Sequence, residues 1–400
     1  MPLLLFAGHY PPDQTPAAHY LQDITHAIAG AYPVEVFSGS AGSENLPPTA
    51  NVKVRQIGFA TPARLSLRKR LLGMIRLSAN AFLAAFRHAG PQSPVLVVTA
   101  PFLLPYFTVL AARLRRARCA LILYDLYPDA LVVAGVSRQN SFTVWAVRLL
   151  NRAMFRQLDF VVTIGRDMEA RLIAYPGFKR EKIAYIPNWA VATPGFRPTD
   201  IENRFRQPIQ DRFVVGMCGN LGFTHDPMTP LNAAAQLAGD QRIHFLFSGW
   251  GTGWTKLVDA QKSMQLPNVT LVERVPQEEL SDMLAAADAW ILPYRRGMLG
   301  ISVPSRTYNI LALGRPIIVL SEPMAEQSRV AVEEDVGWIC QPEDTNALVT
   351  LLKKIAADPR SATEKGRNAV AAVQSRYTLS VAARRYRELA SELLAPSRRG

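Results

Sequence analysis

The stretch that decides the fold is residues 300–316, GISVPSRTYNILALGRP, which runs straight into the β-rich segment Pro316 to Leu320. A Pro-Ser-Arg corner opens a short apolar helix, and Gly-Arg-Pro closes it just before a strand, which makes this an α/β unit. Ser305 can cap that helix, its N-terminus offers unpaired N–H groups and partial positive charge, and Arg306 adds a full charge. On this stretch alone two readings stand: a capped surface helix with a solvated arginine, or an anion site that fits a diphosphate.

Working outward, the same alternation of strand and helix fills the chain. In the first half the strand candidates are Leu3 to Ala7, Val34 to Ser38, Val52 to Ile57, Val95 to Thr99, Ala120 to Tyr124 and Phe160 to Ile164. In the second half they are Phe213 to Cys218, His244 to Ser248, Val269 to Val272, Ala289 to Leu292, Pro316 to Leu320 and Gly337 to Cys340. Between the halves, Pro187 to Gln210 is proline-rich and charged with no apolar period, so it reads as a linker. The expected layout is α/β: a domain over 1–190, a linker over 191–212, a second domain over 213–378, and a helical tail over 379–400 that crosses back to the first domain. Two Rossmann-like domains in tandem place their ligand sites at the carboxyl ends of the strands.

Composition narrows the partners. At 400 residues the chain is longer than one core usually supports. Its 45 Lys and Arg against 32 Asp and Glu leave a net charge of +13, which favours a polyanionic partner: nucleic acid, an anionic membrane face or a phosphorylated substrate. The 3 cysteines, Cys119, Cys218 and Cys340, lie in or beside apolar stretches with no paired spacing. A disulfide framework or zinc site is therefore not expected, and a reducing cytoplasm fits. The opening Met1 to Ala7 lacks a basic region and reads as a first strand rather than a signal peptide, and no run is long enough to span a membrane.

Three further places carry chemistry. Gly219-Asn220-Leu221-Gly222 and Gly249-Trp250-Gly251-Thr252-Gly253 each follow a strand, where glycine lets backbone N–H groups approach a phosphate. The competing reading of each is a tight strand-to-helix connection. Asp125, in Tyr124 to Asp129, ends a strongly apolar strand, where a carboxylate can take a hydroxyl proton or simply form a turn. The loop Gly8 to Pro16 brings His9, Tyr10, Asp13 and Thr15 to the end of the first strand, as acceptor or cleft residues or as a rigid structural loop.

Together these residues resemble a family. Tyr10 to Asp13, Asp125 to Pro128, Ile186 to Trp189, Gly219 to Gly222, Val303 to Arg306, Asn309 to Ala312 with Gly314 to Pro316, and Gly337-Trp338 occur in the order found in GT-B glycosyltransferases of family 4. The branch resembled is the bacterial exopolysaccharide and O-antigen one, similar to colanic-acid fucosyltransferases and N-acetylfucosaminyltransferases. The resemblance implies two Rossmann-like domains facing across a cleft. It implies a nucleotide-sugar donor, UDP-linked by preference, bound mainly by the second domain, an acceptor bound by the first, and transfer with retention. It also implies no cofactor and no required metal, because helix dipoles and basic side chains neutralise the departing diphosphate.

The chain departs from the family pattern in places. Arg306 stands where the family has Lys, which keeps the charge and adds a bidentate fork. The family's Glu-x7-Glu pair falls on Ile301 and Asn309, so Asn309 is left to bind a ribose or sugar hydroxyl, and Glu326 is either the candidate ribose carboxylate or a solvated acid at a helix start. The first glycine-rich turn is Gln14 to Ala17, and His225-Asp226 replaces a Lys or Gln-Gly. On this reading Asp125 and Arg306 are catalytic. Asn220, Gly222, Gly249, Gly251, Pro304, Ser305, Tyr308, Asn309 and Glu326 bind the donor.

The positive charge falls on the acceptor side. Residues 63–89 set Leu65, Leu72, Ile75, Phe82 and Phe86 on one helical face among Arg64, Arg68, Lys69, Arg70, Arg76 and Arg87. This is either a basic amphipathic helix that lies on an anionic leaflet or a domain helix with its apolar face in the core. Further arginines at 113, 115, 116 and 118, then at 148, 152 and 156, belong to the same domain. A polyprenyl-diphosphate-linked glycan acceptor at the inner face of the plasma membrane accounts for all three groups, with the protein cytoplasmic and peripheral. The rival readings are a GT-B nucleotide-sugar epimerase with a soluble substrate and a non-catalytic nucleic-acid binder. No nucleic-acid partner is expected, since aromatics are not interleaved with the basic runs and no recognition module is visible.

Overall fold

The computed structural model describes residues 1–45, 49–58, 67–197, 202–209 and 211–395. It divides into two compact units, unit 1 comprising Met1–Pro128, Gln139–Asn188 and Leu379–Gly400, and unit 2 comprising Asp129–Arg138 and Trp189–Thr378.

Unit 1 is built on seven strands: β1 (Leu3–Ala7), β2 (Val34–Ser38), β3 (Val52–Gln56), β4 (Val95–Val98), β5 (Cys119–Leu123), β6 (Phe160–Thr163) and β7 (Ile183–Tyr185). They lie in the order β3-β2-β1-β4-β5-β6-β7, and every pairing is parallel. β1, β2, β4 and β5 are buried at every position, because helices cover both faces of a parallel sheet. The helices are α1 (Pro16–Ala29), α2 (Leu67–His88), α3 (Leu104–Leu114), α4 (Asp129–Val133), α5 (Phe142–Gln157) and α6 (Met168–Ile173), of which α4 falls in unit 2.

Unit 2 continues with β8 (Phe213–Asn220), α7 (Met228–Gln236), β9 (Ile243–Trp250), α8 (Thr252–Met264), β10 (Val269–Val272), α9 (Leu280–Ala285) and β11 (Ala289–Pro293). α10 (Arg306–Ala312), β12 (Ile317–Leu320), α11 (Glu326–Glu333), β13 (Gly337–Cys340), α12 (Thr345–Ala357) and α13 (Pro359–Arg376) complete it. Its sheet runs β10-β9-β8-β11-β12-β13, again all parallel. The last helix, α14 (Leu379–Leu394), packs on α1 in unit 1, so the chain's tail returns to the domain where it began.

The segment expected as a linker is part of unit 2. Phe205 and Ile209 enter its core, and Arg206, only 5% exposed, bonds Asp288 at 2.9 Å and the Ala286 carbonyl at 3.0 Å. A buried cation needs this pairing to offset its lost hydration. Residues 198–201 and 210 of that segment lie outside the described residues, as do Arg64 and Leu65 of the expected basic helix.

α2 also departs from the picture of an apolar face turned to the core. Its core side is small, with Leu77, Ser78, Ala81, Ala84 and Ala85 buried, while Leu72, Ile75 and Phe86 are 66%, 40% and 43% exposed.

Candidate donor site of unit 2

The carboxyl ends of β8 and β9 stay paired to their last residues, Gly219 opposite Gly249 and Asn220 opposite Trp250. The two glycine segments are therefore locked together rather than opened as loose turns. The N–H of Leu221 donates to Trp250 O at 2.8 Å and that of Gly253 to Leu221 O at 2.8 Å. Gly251, at φ +98°, caps α8, and a Cβ there would lie 2.7 Å from Asn220 Oδ1. Glycine is required here by the close approach of two chain segments. α7 does not follow directly either: it begins at Met228, and the Asp226 carboxylate accepts from Met228 N at 3.1 Å and Thr229 Oγ1 at 2.5 Å.

Over this floor lies Arg306. Its guanidinium donates to the Cys218 carbonyl and, at 3.0 Å, to the Asn220 carbonyl. Gly219, at φ +106°, leaves the room it occupies, since a Cβ at that position would sit 2.4 Å from Arg306 Nη1. Both bonds go to neutral carbonyls, so the side chain is fixed while its charge stays uncompensated by them.

A second cation, missed in the sequence, joins it. Arg295 follows β11, and its Nε donates to the His225 carbonyl at 3.0 Å. The His225 ring stacks on Tyr294 at 5.1 Å and meets Thr224 Oγ1 through Nδ1 at 3.1 Å. Burial, then Arg306, then Arg295 pull its pKa down to about 3, so the imidazole is neutral at physiological pH. Two guanidiniums and a neutral histidine at one sheet edge favour an anion and offer no strong general base. Arg295 was legible in principle, as an arginine just past a strand end.

The other expected donor residues lie at α10 and at the start of α11. Ser305 stands at the start of α10 in helical conformation without a side-chain capping bond among the described residues, and the Pro304 and Ser305 carbonyls take the first N–H groups instead. Tyr308 is 1% exposed and packs on Tyr377 at 4.8 Å. Asn309 Oδ1 accepts from the N–H groups of Val191 at 2.7 Å and Ala192 at 3.1 Å, tying that segment to α10. Glu326 is fully buried in the first turn of α11. Asn220, Gly222, Gly249, Gly251, Pro304, Ser305 and Arg306 thus lie around the ends of β8 and β9 and the start of α10, while Tyr308 packs in the core of unit 2, Asn309 holds residues 191 and 192 to α10, and Glu326 is buried at the start of α11.

In unit 1, Asp125 follows β5 and lines a small cavity with Thr99, Phe102, Tyr106, Tyr127 and Asn151. Burial and the Asp125 charge push the Tyr127 phenol up to about 12. Asn151 braces this loop: Nδ2 donates to Tyr127 O at 2.6 Å, and Oδ1 accepts from Tyr106 Oη at 2.6 Å. In the β1 loop, Thr15 caps α1 through Ala18 N at 3.3 Å, Asp13 bonds His9 at 2.6 Å and Thr15 N at 3.1 Å, and Tyr10 is 1% exposed. Thr15 and Asp13 thus brace the start of α1, Tyr10 packs in the core, and the His9 side chain, paired with Asp13, stays partly exposed. Among the described residues no group of three or more His, Cys, Asp or Glu is placed to hold a metal ion.

Known proteins match this chain along most of its length. Residues 17–189 match the model "Glycosyl transferase 4-like domain" and residues 199–371 match "Glycosyl transferases group 1". A protein named probable glycosyltransferase WbjE, from Pseudomonas aeruginosa, is 31% identical over 332 residues, 80% of each chain. The chain is a GT-B glycosyltransferase of family 4.

The Escherichia coli K12 protein named putative colanic acid biosynthesis glycosyl transferase WcaI is 24% identical to this glycosyltransferase, over 90% of the chain and 93% of WcaI. Among solved structures, sucrose-phosphate synthase from Thermosynechococcus elongatus superposes with a TM-score of 0.77 at 18% identity, covering 99% of this chain and all of that one. Anabaena HepE in complex with UDP gives 0.71 at 15% identity, over 98% and 100%. These two likenesses show the fold. In this family member the basic edge of β8, β11 and α10 belongs to the group 1 domain, and Asp125 belongs to the 4-like domain.

Proposed function

We propose that this glycosyltransferase moves a sugar, with retention at the anomeric carbon, from a UDP-sugar to a polyprenyl-diphosphate-linked glycan acceptor in bacterial polysaccharide biosynthesis. The observation that carries the proposal is the Arg306 guanidinium, held by the Cys218 and Asn220 carbonyls beside Arg295 and a neutral His225. Two fixed cations that form no ion pair among the described residues suit a diphosphate that gains charge as it leaves.

In the reaction the bond between the anomeric carbon and the β-phosphate oxygen breaks, and the acceptor oxygen bonds to the same face of that carbon. Arg306 and Arg295 stabilise the departing UDP, and no metal is required of them. Asp125 orients the acceptor hydroxyl, whose proton passes to the leaving phosphate. The preference for UDP draws on HepE, which binds UDP, and the pathway on the names of the WcaI and WbjE relatives. No helix among the described residues is long and apolar enough to cross a membrane. We place the enzyme in the cytoplasm, peripheral at the inner membrane face.

Calorimetric titration with UDP and GDP tests the donor half: UDP is expected to bind tightly and GDP weakly. Indifference to every nucleoside diphosphate would remove the basis of the proposal.

A further inference from the structure

α5 opens unit 1 to solvent in an unusual way. Ser141 caps the helix through Val144 N at 3.3 Å, and the first turn then presents Phe142 and Trp145, 77% and 59% exposed, with ring centroids 5.4 Å apart. Leu149, 51% exposed, continues the stripe one turn on, opposite the buried Val144, Val147, Asn151, Met154 and Phe155. An aromatic pair of this size left in water by a capped helix start is not a packing requirement of the domain.

The stripe has neighbours. Right-handed crossovers place the helices of β3-to-β4, β4-to-β5 and β5-to-β6 on one face of the sheet, and α2 packs on α3 and α3 on α5. Besides α5, this layer exposes Leu71, Leu72, Ile75, Leu83 and Phe86 of α2 and Leu110 and Leu114 of α3. α2, α3 and α5 carry nine Lys and Arg and not one Asp or Glu. The guanidinium of Arg115 lies over Phe86 at 5.5 Å, so charge and apolar surface alternate at one level. By contrast α14, on the opposite face with α1, carries Glu388 and Glu392.

We infer that the α2-α3-α5 face of unit 1 lies flat on an anionic phospholipid leaflet, with Phe142 and Trp145 as the side chains that enter the interface. This rests on, and deepens, the reading of a lipid-linked acceptor. Basic residues without acidic ones match anionic headgroups, and large apolar side chains between them match the acyl boundary beneath. Tryptophan at the edge of such a face is the residue that favours headgroup depth. A polyanion without an apolar layer, such as an acidic protein, would leave the stripe exposed.

Flotation with phosphatidylcholine vesicles, with and without phosphatidylglycerol, tests it on the full chain without donor or acceptor. The wild type is expected to float with the anionic vesicles alone. The double variant Phe142→Ser, Trp145→Ser is expected to lose at least about tenfold in partitioning, because two apolar side chains no longer leave water. The triple variant Arg68→Glu, Lys69→Glu, Arg70→Glu is expected to stop floating. These positions are exposed, and an unchanged thermal shift with UDP shows that the variants are folded. Wild-type failure to float, equal flotation of the aromatic double variant, or equal retention on heparin beads by wild type and double variant alongside equal flotation would overturn the inference. Transfer by the wild type to a water-soluble acceptor is read separately: no transfer with flotation intact strikes the transferase reading, and transfer with no flotation strikes this one.

Discussion

Replacing Gly219 by alanine should disable the candidate donor site by displacing Arg306 rather than by removing it. The new Cβ would sit 2.4 Å from Arg306 Nη1 and 2.5 Å from Cζ, separations that no real Cβ tolerates. The guanidinium, at the end of a flexible side chain, is what gives way. It then loses charge-assisted bonds to the Cys218 and Asn220 carbonyls, each worth about 1.5 to 3 kcal/mol, with the lower end apt for a half-exposed group. Holding alanine at φ +106° adds about 1 to 3 kcal/mol of backbone strain. With partial rehydration of the guanidinium, the sum is about 3 to 5 kcal/mol, roughly a 10 °C fall in the Tm of unit 2. Differential scanning fluorimetry with and without UDP reads both consequences. In the wild type, UDP at about 100 times Kd adds about 2.7 kcal/mol, and at the same UDP concentration a roughly 10- to 100-fold loss of affinity in Gly219→Ala should cut that increment to about 0.4 to 1.4 kcal/mol. Gly222→Ala is the control, since its Cβ would meet Asn220 at an ordinary 3.7 Å, so it should stay within about 0.5 kcal/mol of wild type. A Gly219→Ala protein with wild-type Tm and an undiminished UDP shift would refute the placement of Arg306 as the anion anchor.

Arg306→Ala should weaken UDP binding by about 10- to 100-fold in calorimetry, the loss of one charge-assisted contact. The same variant should raise the His225 pKa toward its ordinary value in an NMR titration, though not fully, because burial is the larger cause. Asp125→Asn should lower transfer by about 10²-fold, the cost of a misplaced acceptor, while UDP affinity stays unchanged, and a collapse of donor affinity would assign Asp125 to the donor or the fold. Acid should destabilise the protein through His225 and His244, held near pKa 3 and 4 against 6.5 when unfolded. Below pH 6.5 the unfolded chain binds more protons, so between pH 6.5 and 5 each histidine removes about 2 kcal/mol; urea unfolding should show the slope, and His225→Gln should halve it.

Much of the architecture was legible because a parallel sheet buried on both faces writes its strands as continuous apolar runs. Twelve of the thirteen strands among the described residues are legible, most as such runs and β3 by the alternation of Val52 and Val54 with Lys53 and Arg55, and β7 escapes because Ile183–Tyr185 has only three residues. The 191–212 stretch was misread for a different reason. Its prolines and charges look like a linker, but the partner that draws Arg206 inward, Asp288, lies 82 positions away. Asn309 has the same difficulty. Its polar side chain beside a phosphate motif invites a sugar contact, whereas its oxygen closes on Val191 and Ala192 more than a hundred residues earlier. The glycines read as places where backbone N–H groups approach a phosphate or as tight strand-to-helix connections; in the structure the Asn220–Leu221 segment comes close at Gly251 and an arginine at Gly219. Residue type and spacing thus pointed to the carboxyl ends of the strands around Arg306, and long-range pairing decided which side chains there are already engaged.

The most direct test of the account is transfer itself. The purified protein is incubated with radiolabelled UDP-sugars and a polyprenyl-diphosphate-linked glycan, the lipid fraction is extracted, and the product linkage is read by NMR. Label is predicted to enter the lipid fraction with the donor's anomeric configuration, and to fail to do so with Arg306→Ala. Inversion at the anomeric carbon would contradict the mechanism, and UDP-sugar hydrolysis or epimerisation with no labelled lipid would contradict the proposed function.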